Sequence, residues 1–266
     1  MGITQLPRPD LAGQTGRPTD SSVVVSGVGH AYTTGHEVVT DVDLTLRPGE
    51  RIALVGASGA GKTTLAKLIA GVHAPTAGQV RIGGVEVAAL DPAAPRAVVA
   101  LVTQEVHTFA GTLAADLRLA RPDATDEELV AALDRVGALG WVRVLPNGLA
   151  TVVGAGGQRL SATQAQQLAL ARIVLADPLI AILDEATAEA GSAGARALEA
   201  AALRALEGRT ALVVAHRLTQ AATADRVVVL DAGRVVEIGP HSELTARDGH
   251  YARLWAAWSR SRGSRA

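Results

Sequence analysis

Residues 56–64 form a glycine-rich turn between two apolar segments, and this arrangement most constrains the fold. The preceding segment, Arg51–Val55, is short and apolar, and predicts a buried strand. The following segment, residues 64–70, has its leucine and isoleucine side chains on one helical face. Strand, glycine-rich turn and helix are the context in which Gly-Ala-Ser-Gly-Ala-Gly-Lys-Thr-Thr acts as a phosphate-binding loop.

The residue types in this loop suit a nucleoside triphosphate and a magnesium ion. Glycines lack a β-carbon, so the chain can curl tightly and direct several backbone N–H groups at phosphate oxygens. The helix that follows adds the positive end of its dipole. We expect Lys62 to contact the β- and γ-phosphates, and the Thr63 hydroxyl to bind magnesium. The predicted phosphate-binding residues are Gly56, Ala57, Ser58, Gly59, Ala60, Gly61, Lys62, Thr63 and Thr64.

Composition bounds the remaining classes of function. With 266 residues, 48% of them apolar and 19% charged, the chain is long enough for one large globular domain with an inserted subdomain. A net charge of −1 provides no electrostatic footprint for nucleic acid. The absence of cysteine excludes disulfides and thiolate metal sites. No segment approaches the ~18 apolar residues of a membrane span, so a membrane role requires a partner.

Strand patterns alternate with helical patterns in the middle of the chain, and hairpin patterns lie near both ends. This order predicts an α/β fold with a mostly parallel sheet, flanking helices and an antiparallel β subdomain. Residues 111–176 are mainly helical in pattern, and we expect them to form an inserted helical subdomain. We predict a disordered lead or linker remnant over residues 1–22, a folded domain over 23–258 and a flexible tail over 259–266.

Four polar residues follow further apolar strand patterns, at the edge where ligands bind in open α/β sheets. Asp184 is expected to bind magnesium together with Thr63, because hard oxygen ligands suit this ion. Glu185 is the candidate general base that polarises the attacking water. We expect His216 to contact the γ-phosphate and orient Glu185, and Gln104 to reach the metal or the water. Taken singly, an Asp-Glu pair can instead cap a turn or helix, and a lone histidine can be structural.

The order of these motifs resembles the ATP-binding domain of ATP-binding-cassette (ABC) transporters, over about residues 23–258. The exporter branch is most similar, on Tyr32, on residues 151–154 and on the ending at residues 249–255. The resemblance implies the P-loop NTPase cassette fold, ATP and Mg²⁺ as cofactors, and stacking of Tyr32 on adenine. A purely structural role for this tyrosine is the alternative.

The resemblance also implies two partners for the chain. A second cassette would pair with it head to tail, each ATP being covered by the other copy's signature loop, here Ser161, Ala162, Thr163 and Gln164. A transmembrane domain would hold the chain at the cytoplasmic face of the cell membrane. Residues 108–117 would form part of the groove that receives this domain. Phe109 is a candidate contact, and packing of this side chain in the core is the alternative.

The signature loop departs from the family pattern. Ala162 and Thr163 replace both glycines of the usual Leu-Ser-Gly-Gly-Gln sequence, and their β-carbons are expected to restrict φ where backbone approaches closely. Gly191 stands where an aspartate is expected, and Val152 and Ala155 stand where acidic residues are expected. These changes suggest an asymmetric pair, in which this chain hydrolyses ATP against a partner with a regular signature. The alternative is a homodimer in which alanine and threonine simply substitute.

The leading interpretation is therefore a Mg-ATP hydrolase that powers an ABC transporter, of exporter type. A soluble cassette protein acting on ribosomes or DNA is a second class, and the chain lacks the paired cassettes, zinc or coiled-coil insertions and basic patches expected of it. A third class is a nucleotide-gated interaction module with little turnover, against which Glu185 argues.

Overall fold

The computed structural model describes residues 16–33, 35–90, 98–103, 106–184, 192–215 and 217–263. The strands described there are, in chain order, β1 (Val23–Thr33), β2 (His36–Leu46), β3 (Arg51–Val55), β4 (Ala77–Ile82), β5 (Val85–Glu86), β6 (Val99–Val102), β7 (Gly111–Thr112), β8 (Val152–Val153), β9 (Ile180–Asp184), β10 (Thr210–Val214), β11 (Arg226–Asp231) and β12 (Arg234–Gly239). The α-helices are α1 (Lys62–Ile69), α2 (Leu113–Arg118), α3 (Asp126–Arg135), α4 (Leu139–Val144), α5 (Ala162–Ala176), α6 (Ser192–Leu206), α7 (Leu218–Ala221), α8 (His241–Ala246) and α9 (His250–Gly263).

A six-stranded sheet in the order β12-β11-β3-β10-β9-β6 forms the centre of the fold. Five of its strands run parallel, and β12 pairs antiparallel with β11. All five residues of β9 are buried, as expected of a parallel strand that is covered on both faces. The predicted mostly parallel α/β sheet with a terminal hairpin is confirmed.

Strand β3 packs a different layer against each of its two faces. Ile52 and Leu54 belong to a core cluster with Leu65 and other residues of α1 and of the antiparallel sheet. Ala53 and Val55 belong to a second cluster, with residues of α7, α8 and α9. Because side chains alternate along a strand, this five-residue segment joins both layers and fixes the position of the loop that follows it.

The antiparallel subdomain is a four-stranded sheet in the order β2-β1-β4-β5. Strand β1 is longer than the pattern at residues 23–25 indicates, because it continues through Gly27 at φ +56° with several register shifts. Residues 16–22 differ from the predicted disordered lead. The Thr19 N–H donates to the Gly83 carbonyl at 3.1 Å, and the Thr210 hydroxyl donates to Ser21 Oγ at 2.8 Å.

Helices α2, α3, α4 and α5 lie between β6 and β9 in the chain and share one apolar cluster. Helix α3 begins where the sequence indicates, since Thr125 and Glu128 form a reciprocal capping box. Leu129 and Leu133 of α3 are fully buried in this cluster, together with Leu168 of α5 at 1% exposure. The helical block predicted over about residues 111–176 therefore packs on one face of the central sheet, because the same cluster includes Leu183 of β9 and Leu198 of α6.

The C-terminal helix α9 continues to Gly263, beyond the predicted end at residue 258. This differs from the flexible tail predicted over residues 259–266. Tyr251 anchors the helix: its side chain is fully buried and its hydroxyl lies 2.8 Å from His241 Nδ1. None of the helices in the described part of the chain has the length and apolarity needed to cross a bilayer.

Candidate functional site: a phosphate loop at the carboxyl edge of the sheet

The phosphate loop leaves β3 in a backbone conformation that requires glycine. Gly56 has φ +154°, and a β-carbon there would lie 2.2 Å from the Leu230 carbonyl oxygen. Gly61 has φ +98° at the N-cap of α1, and its β-carbon would lie 2.6 Å from the Val38 carbonyl oxygen. Gly59 faces open space but has φ +81°. Steric contact with β11 and β2 therefore explains two of the three glycines, and left-handed backbone explains the third.

A cavity of about 400 Å³ opens over this loop. The Lys62 ammonium lies against the loop itself, where it donates to the carbonyl oxygens of Gly56 (2.9 Å) and Ala57 (2.8 Å). The N-terminus of α1 contributes its backbone N–H groups and positive dipole end, which favour an anionic ligand. The described lining residues are Val38, Gly56, Ser58, Gly59, Gly61, Lys62, Thr63, Thr64 and Ala215.

Thr63 and Asp184 come together beneath the loop, although 121 residues separate them in the chain. The Thr63 hydroxyl donates to Asp184 Oδ1 at 3.0 Å, and the Asp184 residue is only 4% exposed. A hydroxyl and a carboxylate are hard oxygen ligands of the kind that magnesium takes. The residues present therefore fit the ion that the sequence predicts, and Thr63 and Asp184 would hold it.

The carboxyl ends of the parallel strands meet at one edge of the sheet. Val214 is in register with Asp184, and Val102 with Leu183. Gln104, Glu185 and His216 lie outside the described residues, each one or two positions after one of these strand ends in the sequence. Their catalytic roles, and the magnesium contact of Gln104, stay predictions. Gly191, where the family aspartate is expected, also lies outside the described residues.

Tyr32 reaches the phosphate loop from the antiparallel sheet. Its hydroxyl lies 3.1 Å from Thr64 Oγ1 of α1, and the residue is 54% exposed. The ring of Tyr32 also stands edge-on to His30 and His73. Sequence reasoning missed both histidines. The sequence gives a signal for His30 alone: it lies two residues from Tyr32 on one strand, so the two side chains share one face of the sheet.

The signature residues begin helix α5. Ser161 is its N-cap, and Ser161 and Gln164 exchange hydrogen bonds between side chain and backbone. Ala162 and Thr163 lie in the first helical turn, and neither belongs to the described residues with positive φ. Within this chain the two residues meet no φ restriction, because any residue adopts helical backbone. The effect of their β-carbons on the approach of a second cassette stays a prediction. The signature residues are not among the described residues that line the cavity over the phosphate loop.

A second cavity, of about 390 Å³, lies between β6, α5 and the segment around Phe109. Phe109 is 56% exposed, and the Arg172 guanidinium lies 5.8 Å from its ring centroid. Arg172 also forms an ion pair with the fully buried Asp116 carboxylate, which accepts a hydrogen bond from the Phe109 N–H at 3.0 Å. This cavity lies at the segment where the resemblance predicts a groove, residues 108–117, and the role of that groove stays a prediction.

Comparison with known proteins agrees with this geometry. A family model described as ABC transporter matches residues 39–188, which include the whole phosphate loop, the signature residues and Asp184. The chain belongs to the ABC transporter family. Membership carries ATP binding with it, and the P-loop cassette is the ATP-binding domain of such transporters.

The relatives of this ABC domain include much longer proteins. The chain is 44% identical over 239 residues to a multidrug efflux ATP-binding/permease protein of Mycobacterium bovis, covering 90% of this chain and 20% of the relative. It is 43% identical over 216 residues to an ATP-dependent lipid A-core flippase of Chromobacterium violaceum, covering 81% and 37%. The chain thus spans about a fifth to two fifths of these relatives.

A solved structure supports the same assignment. The structure of a bacterial Atm1-family ABC exporter with ATP bound matches with a TM-score of 0.85 and 31% identity. The match covers 93% of this chain and 43% of the exporter chain. The ABC exporter cassette fold predicted from the motifs is confirmed.

Proposed function

We propose that this ABC domain binds Mg-ATP and hydrolyses it to power an exporter. One observation carries the proposal: the Thr63 hydroxyl and the Asp184 carboxylate lie 3.0 Å apart beneath a phosphate loop whose backbone requires glycine. A buried carboxylate at the carboxyl edge of the sheet, beside a loop that binds phosphates, suits a triphosphate carried with a divalent cation. Glu185 follows Asp184 in the chain, and in this proposal its carboxyl group lies next to the reacting phosphate.

In this proposal each residue has a defined task. Backbone N–H groups of the loop and the Lys62 ammonium bind the β- and γ-phosphates, and Tyr32 stacks on adenine. Glu185 takes a proton from the attacking water. His216 orients Glu185 and contacts the γ-phosphate, and Gln104 positions the water or the metal. Magnesium, when bound, neutralises charge that develops on the phosphate oxygens.

A transmembrane domain is the first proposed partner, and the groove beside Phe109 is its proposed contact surface. The relatives are named as ATP-binding/permease and flippase proteins, and most of their length lies outside the part that this chain matches. The groove beside Phe109 offers exposed aromatic and aliphatic surface for cytoplasmic helices of such a domain. We therefore place the chain at the cytoplasmic face of the cell membrane.

A second cassette is the other proposed partner, in a head-to-tail dimer with unequal sites. Helix α5 presents Ser161 at its exposed N-terminus, and an anion can meet both the hydroxyl and the helix dipole there. Ala162 and Thr163 remove the close backbone approach that glycines would permit, so we propose that the site covered by this signature is the weaker one. A homodimer in which both sites turn over fully is the alternative.

Two substitutions test the proposal. Lys62→Ala is expected to abolish Mg-ATP binding in calorimetry, since it removes the only side-chain cation in the described lining of the cavity. Glu185→Gln is expected to leave binding intact and to lower turnover by about 100- to 10,000-fold, the usual contribution of a general base. Glu127→Gln, at an exposed glutamate of α3, is the matched control.

The results separate the two candidate activities. Mg-ATP binding that persists in Lys62→Ala would contradict the phosphate site. Binding without measurable turnover in the unmodified chain, even with a partner of regular signature, would favour the nucleotide-gated module instead. Equal turnover in Glu185→Gln and the Glu127→Gln control would reject Glu185 as the base.

A further inference from the structure

Three aromatic rings form a cluster beside the phosphate loop. The imidazoles of His30 and His73 stack with their centroids 5.5 Å apart and their planes at 13°. The Tyr32 ring stands perpendicular to both, at 4.8 Å from His30 and 5.5 Å from His73. Edge-to-face and stacked pairs at these distances are favourable for aromatic rings. The cluster therefore supports one side of the Tyr32 ring, while the Thr64 contact holds its hydroxyl.

His30 anchors the cluster in the core. The residue is 8% exposed, and its Nδ1 lies 3.1 Å from the Ala74 carbonyl oxygen, an acceptor, so Nδ1 carries the proton. Its Nε2 is buried and has no hydrogen-bond partner within the described residues.

His73 joins the cluster from the loop after α1 and is half-buried. Burial of the imidazole, and then the nearby positive charges that His30 and Lys67 can carry, lower the pKa of His73 below its usual range. Lys67 lies on α1, and its carbonyl oxygen accepts a hydrogen bond from the His73 N–H at 3.3 Å. The lowered pKa therefore favours the uncharged form of His73 near pH 7.

We infer that His30 and His73 are positioning residues for the adenine contact of Tyr32, and that acidification weakens this contact. The inference rests on the proposed function, because it takes Tyr32 as the adenine platform. Because Tyr32 is 54% exposed, its side chain would change rotamer freely without support from its neighbours. Ordering a free side chain on binding costs conformational entropy and lowers the affinity for the ligand. Two rings and the Thr64 hydroxyl hold it in place before the nucleotide arrives.

The sign of the pH effect follows from His73. Because its pKa is lowered in the intact cluster, protonation favours conformations in which the imidazole leaves the cluster and meets water. The stacked arrangement is thus fully stable above the ordinary histidine pKa and is lost as the pH falls below it. Tyr32 loses one of its two supporting rings in that range, and the base contact weakens while the phosphate contacts remain.

The experiment compares Mg-ATP with Mg-tripolyphosphate, which has the phosphates and no base, by calorimetry at pH 7.5 and pH 5.5. For the unmodified chain, the ratio of the two affinities is expected to fall by about threefold on acidification, within the worth of one aromatic contact. His73→Ala is expected to weaken Mg-ATP binding by about threefold to tenfold at pH 7.5, with tripolyphosphate binding unchanged. His73→Phe retains a ring that does not titrate, so the ratio of its two affinities should fall less on acidification than the ratio for the unmodified chain.

His36→Ala, at an exposed histidine of β2, is the matched control and should behave as the unmodified chain. Tyr32→Ala separates this inference from the function on which it rests. If Tyr32→Ala does not change Mg-ATP affinity, the adenine platform itself is wrong and the inference falls with it. If Tyr32→Ala weakens binding but His73→Ala does not, or if His73→Phe keeps the pH dependence, the positioning role alone is overturned.

Discussion

The ion pair between Arg172 and Asp116 yields the sharpest quantitative prediction. The Asp116 side chain is 0% exposed and that of Arg172 is 19% exposed, so the pair is largely removed from water. Arg172→Met keeps the length of the side chain and leaves the carboxylate buried with only the Phe109 N–H as a described partner. Removing one partner of a buried pair costs about 3–5 kcal/mol.

For Arg172→Met we expect a loss of about 3 kcal/mol in the free energy of unfolding, the lower end of this range, because Arg172 is partly exposed. With about 2.1 cal/mol/K per residue over 266 residues, this corresponds to a fall in melting temperature of about 5 °C. Asp116→Asn removes the charge but keeps an oxygen for the Phe109 N–H, so we expect a loss of about 1 kcal/mol. The double variant should lose about 2 kcal/mol, because no charge is then left buried.

The assay is urea unfolding followed by the fluorescence of Trp141. This side chain lies in the helical block and donates to Gln167 of α5 at 2.9 Å. Replacing the other two tryptophans, Trp255 and Trp258, by phenylalanine makes the signal report that block alone. Arg247→Met removes an exposed ion pair within α8 and its C-cap, and it should change stability by less than about 0.5 kcal/mol.

The double-mutant cycle of Arg172→Met and Asp116→Asn tests whether the two side chains stabilise the fold as a pair. The values above imply a coupling energy of about 2 kcal/mol between the two positions. Additive effects within about 0.5 kcal/mol would show that the carboxylate does not depend on Arg172, and would refute the reasoning. A loss for Arg172→Met no larger than that for the Arg247→Met control would refute it as well.

Two further predictions concern the signature loop and the sheet. Replacing Ala162 and Thr163 together by glycine should raise the ATPase rate of the purified chain at concentrations where it self-associates, and an unchanged rate would favour the homodimer alternative. Glu50→Gln should lower the free energy of unfolding by about 1–2 kcal/mol at pH 7, because Glu50 accepts at 2.9 Å from Arg226 and is 8% exposed. Burial raises the pKa of Glu50, but hydrogen bonds from Arg226 and backbone outweigh it and lower the pKa below 4.5, so the pair stabilises the fold above pH 4.5. In urea titrations at decreasing pH, the difference in free energy of unfolding between the unmodified chain and Glu50→Gln should therefore shrink below pH 4.5. A difference that stays constant with pH would contradict this account.

Much of the fold could be predicted because local patterns and tertiary packing agree. The run of apolar residues in β9 and the Thr125 capping box each specify their element without help from distant residues. The meeting of Thr63 with Asp184 was also predictable, since parallel strands bring their carboxyl ends to one edge. Here the sequence order of strands and polar residues was enough.

Other features depend on distant packing and left no local signal. Strand β1 continues past Gly27 because β2 and β4 pair with it, whereas the glycines there suggest a break. The stack of His30 on His73 joins a strand to the loop after α1, and the long segment between them contains no periodicity that relates the two rings. Asp116 likewise resembles an exposed polar residue of a helix until Arg172 of α5 is packed beside it.

The structure also bears on why the signature glycines can be absent. Ala162 and Thr163 occupy the first turn of α5, where glycine is the less favourable residue by about 0.5–1 kcal/mol relative to alanine. Within this chain, alanine in place of glycine at position 162 therefore carries no penalty, and the capping box of Ser161 and Gln164 is retained. Any penalty must then arise where a second molecule approaches this helix N-terminus. A defect seen only in the dimer, with Mg-ATP affinity of the monomer unchanged, is what unequal sites require.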